Sequence, residues 1–232
     1  MFFRKHNLFI GPAFVLILWL GHFLLFPCPS RAHEEEIAVT PEGYRYAVRL
    51  PSGYMKKANG YPVLFCFHPQ GDGVETTRIF GYASYRLSWI IIGFMDLVYF
   101  ELNEKSWPKV VAAQESVLKD VKKKYNVDGN RFYAAGFANG GQMAYQLAYK
   151  YPSAFKGIIA CGSGLGLEKP IFSIPVYQCA GDDDYALDEA RRAQQQIKDA
   201  NAKVQLRIFK GGHEWPPQNI IHEALEWLYS IR

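Results

Sequence analysis

The sequence has little that is repeated, biased or in surplus. Its 232 residues contain no internal repeat and no low-complexity linker, so residues 33–232 read as one domain rather than an array or a tethered pair. Cysteine is scarce: there are four, Cys28, Cys66, Cys161 and Cys179. No C-x-x-C or histidine-rich spacing accompanies them, so neither zinc nor any other metal is called for. The last three lie in apolar runs that read as interior strands, and are expected to be small buried hydrophobes. Surplus charge is also missing where a polyanion would need it. Residues 1–32 hold Arg4, Lys5 and Arg31 without an acid, which leaves 23 basic against 22 acidic residues for the remainder. A domain this neutral offers no electrostatic basis for nucleic-acid binding.

What is present is apolar bulk. Hydrophobic residues make up 49% of the chain and aromatics 16%, enough for a sizeable core and incompatible with disorder. The basic lead "FFRKHN" is followed by "LFIGPAFVLILWLGHFLLF" and then "PCPSRA". Ser30 and Ala32 occupy the two small-residue positions that a signal peptidase reads, so residues 1–32 are expected to be a cleaved signal peptide. The apolar run, nearly 20 residues, could also span a bilayer, which keeps a permanent signal anchor as the alternative. Either way the domain is expected outside the cytoplasm, secreted or periplasmic, touching a membrane only through an uncleaved leader. Pro27 before Cys28 speaks against a lipid-modified cysteine.

Beyond the leader, strand and helix patterns alternate. "EEIAVT" and "YRYAVRLP" read as alternating strands around the turn "PEG", and "YPVLFCFHP" as a strand buried on both faces. A glycine loop, "QGDGVETTRIFGYASYRL", leads into a helix, and "SWIIIGF" is the next buried strand. "WPKVVAAQESVLKDVKKKYNV" is an amphipathic helix, with Pro108 in its first turn and Lys122 to Lys124 near its end. "RFYAAG", "FKGIIACGS", "IPVYQCAG" and "KVQLRIF" then read as strands. They alternate with the helices "GGQMAYQLAYKYP", "ALDEARRAQQQIKDA" and "NIIHEALEWLYSIR", except that only a short connection separates the second strand from the third. This order predicts an α/β domain with a mostly parallel sheet of about eight strands and helices on both faces. Right-handed crossovers place the loops after its strands along one edge, where open α/β sheets bind ligands.

The residues with chemical potential fall in those loops. "GFANGG", residues 136–141, carries an apolar strand through a tight glycine turn into a helix, the setting of a G-x-S-x-G nucleophile elbow. The tip is Ala138, so the attacking hydroxyl is absent. "AGDDDYAL" follows a strand, and an acid there can orient a histidine; Asp184 is the choice and Asp183 the reserve. "FKGGHEWPP" presents His213 from a two-glycine loop, well placed to reach across the strand ends. Nucleophile position, acid and histidine follow one another in the order that hydrolases of this type use. The loop "FHPQGDG" offers the Gln70 N–H, and the elbow offers the Asn139 N–H, as donors to an oxyanion. Trp215, beside His213, is the best aromatic candidate for a ligand pocket; Tyr82, Tyr85, Trp89 and Trp107 are weaker ones, and loops 69–88 and 94–107 are expected to shape the pocket. His222, on the last helix, reads as merely exposed.

The blocks "YRYAVRLPSGY", "YPVLFCFHPQGDG", "YNVDGNRFYAAGFANGGQMAYQLAYKYPSAFKGIIACGSG", "AGDDD" and "GGHEWP" occur in an order that resembles a secreted α/β-hydrolase. The resemblance is to the carboxylesterase, feruloyl-esterase and polyhydroxybutyrate-depolymerase-like group, and it covers nearly all of the exported part. It implies the α/β-hydrolase fold and a Ser–Asp–His triad that cleaves esters of small molecules or polymers, without a cofactor. Asp184 and His213 inherit the acid and base roles, and Gln70 and Asn139 match the oxyanion donors. Two residues depart from the pattern: Ala138 stands for the serine, and Pro69 for the usual glycine after His68. Three outcomes stay open: a hydrolase reduced to a binding protein for an ester, acyl or sugar conjugate, one with a relocated nucleophile such as Ser163, or a deliberate alanine substitution that traps substrate.

Overall fold

A computed structural model describes residues 35–55, 59–97, 103–166 and 173–231. The proposed leader, residues 1–32, lies outside the described residues, as do positions 98–102 of the second loop expected to shape the pocket. Among the described residues no helix is long and apolar enough to cross a membrane.

Among the described residues eight strands form one sheet: β1 (Glu36–Val39), β2 (Arg45–Arg49), β3 (Tyr61–Phe67), β4 (Ile90–Phe94), β5 (Val127–Phe137), β6 (Phe155–Cys161), β7 (Val176–Gly181) and β8 (Val204–Phe209). Their spatial order is β1-β2-β4-β3-β5-β6-β7-β8. The β1–β2 and β2–β4 pairs are antiparallel, and every other pair is parallel. The expected α/β architecture is therefore present, with a strand over each predicted run; β5 begins four residues before "RFYAAG", at Val127, which the helical pattern had claimed for the end of the preceding helix.

The central strands are buried on both faces because each face has its own core. Along β3, Val63, Phe65 and Phe67 face one side, while Leu64 and Cys66 face the other. The first side is covered by α3 (Trp107–Lys124) and α4 (Asn139–Lys150), and the second by α2 (Gly81–Tyr85) and α6 (Gln218–Ser230). Phe65 meets Phe94, Phe132 and Phe155, and Phe67 stacks on Phe94 with ring centroids 4.4 Å apart. Each such phenyl ring contributes about 1.5–3 kcal/mol by leaving water. In α3, proline sits in the first turn and three lysines in the last, where each suits the helix end.

Two further sequence expectations need correction. The segment after β3 forms two short helices, α1 (Gly73–Ile79) and α2, because Phe80 caps the first and drives its ring into the core. His222 is half-buried, not simply exposed, and stacks on Tyr82 at 4.1 Å.

The order reverses at β3: the chain leaves it toward β4 and returns to β5 on its other side. Such a switch point opens a crevice outside the strands' carboxyl ends. The loops that follow β3, β5, β6, β7 and β8 all emerge along that edge.

Candidate active site

The elbow after β5 is built by three glycines that tolerate no side chain. A methyl on Gly136 would lie 2.2 Å from the Gly140 carbonyl oxygen, and one on Gly140 would lie 2.2 Å from that of Phe67. On Gly141 it would strike the Ser163 side chain at 2.6 Å. These approaches let α4 start directly against β3 and β6. Ala138, between strand and helix, has φ +51° and ψ −123°, a conformation that costs a residue with a Cβ about 1–3 kcal/mol. Its N–H donates to the Cys161 carbonyl at 2.9 Å, and the N–H groups of Gly141 and Gln142 return to its own carbonyl.

Asp184 and His213 meet. Nδ1 of His213 is 2.8 Å from Oδ1 of Asp184, whose side chain is only 1% exposed. The same oxygen accepts the Ala186 N–H at 2.7 Å. An imidazole whose Nδ1–H is held by a carboxylate presents Nε2 as its free base. The reserve acid Asp183 is exposed.

The two loops carrying this pair are stitched together. The Asp182 N–H donates to the Phe209 carbonyl, Asp183 N–H to that of Gly211, and Asp182 Oδ1 accepts the Gly211 N–H at 3.0 Å. A methyl on Gly181 would sit 2.2 Å from the Gly211 carbonyl oxygen, so the glycines let the two turns touch.

His213 also closes onto the elbow. The ring of Phe137, immediately before Ala138, lies 4.6 Å from the imidazole. Gly162, next to the residue that accepts the Ala138 N–H, has φ +51°. A methyl there would stand 3.0 Å from Asp184 Oδ2 and 3.2 Å from His213 Cε1. The Phe137 ring therefore packs on the imidazole, and Gly162 leaves no room for a side chain between the elbow and the acid–imidazole pair.

The oxyanion side departs from expectation. The Gln70 N–H donates to Nδ1 of His68 at 3.0 Å, so it is not offered to a ligand in this arrangement. That bond makes His68 Nδ1 an acceptor and places the ring proton on Nε2, which faces Glu75 Oε2 at 2.8 Å. Pro69 is the local cause: with no N–H of its own, it leaves Gln70 as the first donor that can turn back onto the ring. Asn139 is the first residue of α4 and half-buried.

Trp215 packs against Phe137 at 5.1 Å, Phe80 at 5.9 Å and His68 at 6.2 Å, so Phe137 is the ring that it shares with His213. The other aromatic candidates disperse. Trp89 is fully buried and stacked on Tyr133 at 4.1 Å, Trp107 packs on the α3 side of the core, and Tyr82 belongs to the contact with α6. Tyr85 stays on the surface, edge-on to Tyr82.

Sequence reasoning missed Tyr185. It is 79% exposed and its ring lies 4.1 Å from that of His213, an aromatic cover over the imidazole. Its position right after the aspartates was the only available signal. Gly162 was missed too, since nothing in "CGSG" distinguishes it from an ordinary turn glycine. Ser163 is buried and donates its hydroxyl to the Gly164 carbonyl at 2.8 Å. A polar cleft of about 590 Å³ adjoins the elbow, walled by Asn139, Gln142, Gly164, Glu189, Arg192 and Gln196 among others, but by neither His213 nor Trp215.

Comparison with known proteins fits this geometry. The model of the dienelactone hydrolase family matches residues 95–215, about half of the chain, a stretch that contains the elbow, Asp184, His213 and Trp215 but not Gln70. Among solved structures, a thermostable esterase superposes with a TM-score of 0.67 at 18% identity, over 85% of this chain and 62% of that one. A ferulic acid esterase gives 0.62 at 19% identity, covering 86% of this chain and 98% of that one. The Bacillus cereus carboxylesterase gives 0.63 at 18%, covering 82% and 95% respectively. At such identities the likeness is one of fold. The chain spans under two thirds of the thermostable esterase's length. The curated proteins contain no match.

Proposed function

The chain belongs to the dienelactone hydrolase family, and from that premise we propose that it is a protein of carboxylic-ester-hydrolase type that binds ester ligands without passing through an acyl-enzyme. One observation carries the reading: an alanine stands at the elbow tip, held at φ +51°, beside an assembled Asp184–His213 pair. A methyl has no lone pair with which to attack a carbonyl. Losing the serine of a triad lowers kcat by roughly 10⁶-fold, which corresponds to a barrier increase of about 8 kcal/mol. Binding contacts and an oxyanion site survive such a loss, and together they are worth about 10³–10⁴-fold over water. What they leave is at most slow hydrolysis, with no covalent intermediate.

In this reading Asp184 orients His213, His213 faces the ester oxygen, and the Asn139 N–H is the oxyanion donor. Trp215 and Tyr185 bracket the bound group. Gln70 joins as a second donor only if ligand binding draws its N–H away from His68. A relocated nucleophile finds little support, because the Ser163 hydroxyl is buried and donates within its own loop. The domain acts outside the cytoplasm, delivered by residues 1–32.

The test pairs two measurements on the unmodified protein. It should hydrolyse p-nitrophenyl acetate and butyrate with a kcat roughly 10⁶-fold below that of a complete triad, and a fluorophosphonate probe should leave it unlabelled. Labelling of any serine, or turnover that disappears in Ser163→Ala, would overturn the reading.

A further inference from the structure

Two sulfurs in the interior have no part in the ester site. Cys161 ends β6 and Cys179 lies in β7, and the two are register partners across the parallel pair. Adjacent strands run about 4.7–4.9 Å apart, inside the Cα separation of about 4.4–6.8 Å that a disulfide spans. Both side chains are wholly buried on the same face of the sheet, with Sγ atoms 3.1 Å apart. Closing to the bonded length near 2.0 Å needs an approach of about 1 Å. Cys66 faces the same side, but its Sγ is turned toward the Leu64 carbonyl of its own strand.

We infer that Cys161 and Cys179 form a modification site: folding in the presence of a small disulfide oxidant, such as oxidised glutathione, closes them into an intrachain disulfide that ties β6 to β7. One cysteine thiolate attacks oxidised glutathione, releasing one glutathione thiolate and leaving a mixed disulfide. The other cysteine thiolate then attacks the protein sulfur and releases the second glutathione. Two electrons pass from the protein thiols to the glutathione disulfide, and both thiol protons leave to solvent or to the departing thiolates.

Burial settles when this happens. It pushes the Cys161 thiol well up, with Cys179 adding to the effect, and leaves neither sulfur open to glutathione in the folded domain. The exchange therefore precedes the docking of α6, and the finished bond is shielded from reductants. Its place gives it a structural consequence. The Cys161 carbonyl accepts the Ala138 N–H and the Cys179 carbonyl accepts the Gly162 N–H at 2.7 Å. The crosslink thus ties β6, whose end accepts the N–H of the elbow tip, to β7, which leads into Asp184. None of this depends on whether esters are bound.

The test refolds the full chain in a glutathione redox buffer, unfolds it in guanidinium with an alkylating agent, and maps the peptides. The expected result is alkylated Cys66, with Cys161 and Cys179 recovered in one crosslinked peptide pair that separates on reduction. Thermal melting should fall by about 5–10 °C when the oxidised protein is first unfolded with dithiothreitol and refolded, as suits a loop of this length in a chain of this size. The Cys161→Ala/Cys179→Ala variant should show no such difference. Recovery of both cysteines alkylated, a mixed glutathione adduct alone, or a crosslink through Cys66 would each overturn the inference, and the wild-type map decides even if the variant fails to fold.

Discussion

Placing one oxygen on the elbow is the sharpest perturbation this site allows. Ala138→Ser keeps a Cβ at the same φ of +51°, so the backbone strain is already present and stability should change by less than about 0.5 kcal/mol. A fully competent triad would then gain on the order of 10⁶-fold in kcat. The oxyanion side lowers that figure. The Gln70 N–H is engaged by His68 Nδ1 at 3.0 Å, and one missing oxyanion donor costs about 10²–10³-fold. The expected gain on p-nitrophenyl butyrate is therefore about 10³–10⁴-fold over the unmodified protein, or about 4–5.5 kcal/mol of barrier. Fluorophosphonate should label the variant at residue 138. The gain should vanish in Ala138→Ser/His213→Ala, because the hydroxyl then has no base. A gain near 10⁶-fold would show that ligand frees the Gln70 N–H. No gain in a variant that melts normally, or a gain that survives loss of His213, would refute the assignment of the elbow and its base.

The remaining predictions concern the fold and the leader. Ala138→Gly removes a Cβ from a left-handed backbone and should stabilise the chain by about 1 kcal/mol, raising Tm by roughly 2–4 °C; a lower Tm would contradict the strain argument. Gly140→Ala drives a methyl to 2.2 Å from the Phe67 carbonyl oxygen, and should destabilise by about 3 kcal/mol or more in urea titration; an unchanged midpoint would mean that α4 is not seated on β3 as described. N-terminal sequencing of the exported protein should begin at His33, whereas an intact leader in the membrane fraction would favour the anchor.

Much of the architecture was legible because it rests on local periodicity. Fully apolar runs such as Tyr61–Phe67 and Ile90–Phe94 can be satisfied only by strands covered on both sides, and they became β3 and β4. The elbow was legible for a different reason. Gly136, Gly140 and Gly141 flank a strand-to-helix turn, and a missing Cβ at three such positions signals backbone in close approach. The split of the α1–α2 segment was not legible, since it depends on Phe80 finding space against Trp215 and the α6 side of the core. Asp184 could be preferred over Asp183 only by position, because three consecutive aspartates share one local pattern.

The amino-acid order by itself determined the α/β alternation, the sheet edge on which the chemistry would gather, and the absence of a nucleophilic oxygen at residue 138. All three follow from side-chain type and spacing along the chain, and need no knowledge of distant partners. Tertiary structure alone decided which aspartate reaches His213, that the Gln70 N–H turns to His68, and that Cys161 and Cys179 come within 3.1 Å. Those outcomes depend on how neighbouring strands are registered and how loops far apart in sequence are stitched. A shift of one residue in a strand reverses the face to which each side chain points, so no local pattern could have specified them.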